Sequence, residues 1–173
     1  MGWTPLMVAC RSGKTKIVQL FVENYDKEEI GWNDQDMDGN TLFMMACKRR
    51  STGVVKFLLN NEEKSIDLDA RDNNGYTPFM IACMKGYEEI VKLLLNHTID
   101  FNAEVLQGYR SWTACNLAIK NERRNVVRLL LRYSTIKNIE MPKRIDKTSI
   151  HRFYPYPVSR TKRLQADRTY FNT

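Results

Sequence analysis

The chain repeats itself at a fixed period, which restricts it to folds built by stacking one small unit. Four segments align without internal gaps: GWTPLMVACRSGKTKIVQLFV from Gly2, GNTLFMMACKRRSTGVVKFLL from Gly39, GYTPFMIACMKGYEEIVKLLL from Gly75 and SWTACNLAIKNERRNVVRLLL from Ser111. The threonines at 4, 41, 77 and 113 are 37, 36 and 36 residues apart, and the alanines at 9, 46, 82 and 118 keep the same steps. Chance similarity at one position does not hold a register across whole segments, so the unit is a structural repeat.

Each unit reads as two short helices. Thr77 is a good N-cap, because its hydroxyl can accept a bond from an orphan N–H of the first turn, and Pro78 follows where a missing N–H costs nothing. Gly86 suits the left-handed residue that ends this helix, and Ile90, Val91, Leu93, Leu94 and Leu95 form the apolar side of a second one. Helices below about 12 to 15 residues are marginal alone. Stacking of neighbouring units must therefore supply the stability.

These residues resemble the ankyrin repeats, whose fingerprint is Asp-x-x-Gly-x-Thr-Pro-Leu-His-x-Ala followed by a Gly and an Ile-Val-x-Leu-Leu-Leu helix. The resemblance covers roughly residues 2 to 131, and DNNGYTPFMIA at 72 to 82 matches best. It implies an all-α solenoid of antiparallel helix pairs with projecting hairpin-like loops and a concave binding face, here an array over 1–132 followed by a basic, largely irregular tail over 133–173. Leu42 and Ala114 replace the proline in two copies, and Met7, Met44, Met80 and Asn116 replace the histidine. Arg50 and Glu122 stand where Gly13 and Gly86 end the first helix, at a cost of about 1 kcal/mol in a left-handed conformation. Copies two and four are therefore expected to turn differently, using nearby Asn121. The period exceeds the usual 33 residues or so, with extra length in NNEEKSID and in NAEVLQGYRS, which lacks the Asp-x-x-Gly turn. The first copy begins at Gly2 without a preceding half-turn, as expected of a fragment of a longer array.

Charge divides the chain. Residues 1 to 131 hold 17 basic and 17 acidic side chains, residues 132 to 173 hold 10 and 3, and the net +7 thus belongs to the tail. No apolar run approaches the roughly 20 residues of a spanning helix, and no basic segment followed by an apolar core opens the chain. Cysteines at 10, 47, 83 and 115 lack paired C-x-x-C spacing. A reducing setting is expected, intracellular and cytoplasmic with the nucleus left open. Cys10, Cys47 and Cys83 share one column on helices about 8 to 10 Å apart, too far for a disulfide, and read with the methionine column as core. Phosphate-loop, nucleophile-elbow and zinc-protease patterns are absent from the sequence, so a non-catalytic chain with no cofactor and no metal is expected.

In arrays of the resembled family, partners meet the residue before the capping Thr and the two residues before the helix-helix turn. The first column here is Trp3, Asn40, Tyr76 and Trp112; the second is Arg11-Ser12, Lys48-Arg49, Met84-Lys85 and Lys120-Asn121. One is largely aromatic and the other largely basic, a pairing rich in interface anchors. The expected function is a protein-protein interaction module or scaffold, a monomer or part of a longer chain, holding a protein partner with an acidic or apolar extended segment. The competing structural reading has the aromatics packed against neighbouring loops and the cations solvated. Asn102 in HTIDFNAE resembles the ankyrin asparagine that asparaginyl hydroxylases modify, although such a residue also serves to satisfy loop backbone. Past Arg132, Ile136, Ile139 and Met141 can cover the last repeat. The basic residues beyond interleave with Phe153, Tyr154, Tyr156, Tyr170 and Phe171, which makes nucleic acid or an anionic surface the alternative partner.

Overall fold

The computed structural model describes residues 2–25, 30–60 and 65–139. Among the described residues, eight helices form two layers. The inner layer holds α1 (Pro5–Arg11), α3 (Leu42–Lys48), α5 (Pro78–Lys85) and α7 (Ala114–Lys120). The outer layer holds α2 (Thr15–Asn24), α4 (Thr52–Leu59), α6 (Glu88–Leu95) and α8 (Arg124–Lys137). Each inner helix packs on its own outer partner and on the inner helices beside it, and the outer helices stack likewise. All four cysteines, Met7, Met44 and Met80 are buried in this core.

Every inner helix starts on the expected threonine. Thr4, Thr41 and Thr77 accept from the N–H of Met7, Met44 and Met80 at 3.2, 3.2 and 3.3 Å. Thr113 forms a reciprocal box with Asn116, whose side-chain oxygen accepts from the Thr113 N–H at 3.2 Å. An asparagine can therefore stand where the resembled pattern has histidine, because it reaches back to the cap.

The helix-helix turns correct an expectation. Gly13, Arg50, Gly86 and Glu122 all adopt the left-handed conformation, with φ of 68°, 57°, 79° and 56°. Copies two and four turn as one and three do. Arg50 N–H donates to the Cys47 carbonyl at 3.1 Å and Ser51 N–H to that of Ala46 at 2.9 Å, matching Gly86 to Cys83 at 3.2 Å and Tyr87 to Ala82 at 3.0 Å. These paired bonds and the packing of whole repeats outweigh about 1 kcal/mol of local strain. Asn121 instead donates its side-chain N–H to the Leu117 carbonyl at 2.8 Å.

The loops between repeats project as fingers. In the second and third, Asp36 and Asp72 lie beneath the turn, where each Oδ1 accepts two backbone N–H groups. Gly39 and Gly75 supply the positive φ that lets the chain return. The fourth finger is a two-stranded antiparallel hairpin, β1 (Glu104–Gln107) and β2 (Arg110–Thr113), with Gln107 opposite Arg110.

The ends of the stack differ. At the first repeat Val8, Ile17 and Leu20 are 44, 45 and 57% exposed, whereas Met45 and Val54, one period on from the first two, are at most 4% exposed. The last helix presents Arg124, Arg128 and Arg132 to solvent and runs five residues past the expected boundary at 132. Ile139 packs on the core and Ile136 is half-buried, while Met141 lies outside the described residues.

Candidate functional site

The inner helices and fingers enclose a concave groove with a volume of about 500 Å³. Eight of the twelve residues in the two columns line it. Trp3, Asn40 and Tyr76 enter from the fingers, and Arg11, Lys48, Arg49, Met84 and Lys85 from the helix ends. They converge because the column before each capping threonine and the column at each inner-helix C-terminus face one another across the inner layer.

The two columns are also bonded to each other. Arg11 lies over the Trp3 ring at 4.1 Å from its centroid, and Lys120 over Trp112 at 4.6 Å. Both pairs are eight residues apart within one repeat, as are Asn40 and Lys48. Lys48 Nζ donates to Asn40 Oδ1 and forms an ion pair with Asp72 at 3.0 Å. The expected cation column is thus partly committed to the protein itself: Lys48 ties the second repeat to the third.

Carboxylates missed at the sequence level share the groove. Asp36, Asp38 and Asp72 line its finger side. Asp36 and Asp72 belong to the Asp-x-x-Gly turns; the pattern showed their turn role but not that the same side chains face the helix wall. Burial of Asp36 raises its pKa, but hydrogen bonds from the Asn40 side chain and backbone, Trp3 Nε1 and the Asp38 N–H outweigh this and hold it below the ordinary carboxylate value. Asp36 therefore keeps its charge and orients the indole, which donates at 3.0 Å. The groove is mixed in charge, with cations along the helix wall and carboxylates at the finger side, rather than uniformly basic.

Trp112 and Lys120 do not line this cavity. The longer fourth finger places Gln107 between Lys120 and Tyr76 of the third repeat, where its Nε2 donates to Tyr76 Oη and its Oε1 accepts from Lys120 Nζ at 3.2 Å. Gln107 had no sequence signal, since only the hairpin register brings it there.

Asn102 lies outside the groove, exposed at the foot of β1, with its N–H donating to Asp100 Oδ1 at 3.1 Å. Burial pushes the Cys47 and Cys83 thiols above their ordinary range, Cys115 adds to the effect at Cys83, and burial takes Cys115 up to about 12. Such thiols are poor nucleophiles. No helix among the described residues is long and apolar enough to cross a membrane. The basic aromatic segment on which the nucleic-acid alternative rests lies outside the described residues.

A family model for ankyrin repeats matches residues 6–105 and again residues 64–141, with three copies. The two matches together span most of the repeated region and the helical extension after it.

Proposed function

The chain belongs to the ankyrin repeat family, whose members are generally protein-protein interaction modules, and on that premise we propose that it is a non-catalytic module holding an extended segment of a protein partner in its concave groove. The observation that supports this reading is the convergence of Trp3, Arg11, Asn40, Lys48, Arg49, Tyr76, Met84 and Lys85 on one cavity. Aromatic and Arg side chains grouped in a concave surface are the usual anchors of an interface. We place the interaction in a reducing, cytoplasmic setting, consistent with four buried cysteine thiols.

Affinity purification with mass spectrometry tests the reading. A specific partner is expected to be retained by the wild type and lost from Trp3→Ala and from Arg49→Glu/Lys85→Glu, with circular dichroism unchanged. Equal retention by all three proteins would remove the groove from the interaction.

A further inference from the structure

We infer that the groove takes an acidic extended peptide whose carboxylates recur at every third residue over a footprint of three repeats. This rests on the interaction reading above and adds to it a charge and a register.

Arg49 and Lys85 occupy equivalent positions at the ends of α3 and α5, and both are exposed. Neither forms an ion pair with a described residue, whereas Lys48 is engaged by Asp72. Arg11 supplies a third cation from α1, one position earlier in its repeat. A guanidinium held over an indole still presents N–H donors to a carboxylate. The helix wall therefore offers one available cation per repeat for three repeats.

Register follows from two spacings. Packed helices lie about 8 to 10 Å apart, and an extended chain advances about 3.3 Å per residue. One repeat thus corresponds to about three ligand residues, the distance from one carboxylate to the next in a Glu-x-x-Glu-x-x-Glu segment. Asp38 faces the cavity from the opposite wall and disfavours acids on that side, so the acidic edge of the ligand meets the helices. Gln107 occupies Tyr76 Oη and Lys120 Nζ, which ends the open run of cations at the third repeat.

Fluorescence polarisation with labelled synthetic peptides tests this. Three glutamates in a Gly/Ser background are spaced two, three or four residues apart at constant length and charge. The three-residue spacing is expected to bind about tenfold tighter than the others near physiological salt and to weaken as salt rises. Arg49→Glu/Lys85→Glu is expected to abolish that preference, and Arg128→Glu/Arg132→Glu, on the outer face of α8, to preserve it. Equal affinity for all spacings, binding insensitive to Arg49→Glu/Lys85→Glu, or no binding to any peptide would each overturn the inference. Partner capture that depends on Trp3 and Arg49 would survive such a result, so the two readings fail separately.

Discussion

The third and fourth fingers cover the same interval of their repeats by different means. The third turns over a carboxylate: Asp72 accepts the N–H groups of Asn74 and Tyr76 at 3.0 Å each and the Lys48 ammonium at 3.0 Å. The fourth has Gly108 one period on from Asp72, and without that carboxylate the chain continues into a strand pair that closes on itself. The short finger stays low and leaves the groove open. The long one drops a glutamine across it. A change in how one turn satisfies its backbone thus decides which repeats border the open groove.

Removing the carboxylates separates the two fingers most sharply. Asp72→Ala is expected to cost about 2 kcal/mol, because the part-buried N–H groups of Asn74 and Tyr76 lose their acceptor and Lys48 its counter-ion. Glu104→Ala, which takes away the exposed partner of Ser111 Oγ in the hairpin, should stay within about 0.5 kcal/mol. Urea denaturation measures both, and equal losses would erase the contrast.

The turns after α5 and α7 give a smaller effect of opposite sign. Gly86→Ala places a Cβ at φ +79°, 2.7 Å from Arg123 Cδ, and should cost about 1 to 2 kcal/mol. Glu122→Gly relieves the same conformation in the last repeat and should raise stability by up to about 1 kcal/mol. Thermal melts that moved in one direction for both would contradict a shared left-handed turn.

A change in stability within about 0.5 kcal/mol, like that of Glu104→Ala, is expected for Gln107→Ala. Its value lies in the footprint: a peptide carrying a fourth glutamate three residues further on should gain affinity for Gln107→Ala and not for the wild type. No gain would show that Gln107 does not bound the groove.

The repeat and the threonine caps were legible because each depends on local chemistry repeated in register, whereas the two columns were expected only from the resemblance to the ankyrin pattern. Thr77 before Pro78 marks the start of α5 by its own side-chain chemistry. Arg50 and Glu122 misled, since their preference against positive φ is worth about 1 kcal/mol and a packed repeat overrides it. Gln107 was invisible for a different reason. Its contacts join the third finger, the fourth finger and α7, and no single segment encodes such a meeting. Asp36 and Asp72 were half legible, with the turn evident and the second role as groove lining hidden.

The uneven burial at the first repeat has a dynamic consequence. A face that leaves Leu20 more than half exposed contributes fewer contacts than the faces between repeats, and regions with fewer packed apolar contacts open locally at lower free energy. Trp3 and Arg11, which form the first wall of the groove, sit on that repeat. A ligand that bridged from Arg11 to Lys85, as proposed above, would tie the first repeat to the second and third. Occupancy would then be read out as slowed amide exchange in α1 and α2, far beyond the residues the ligand touches.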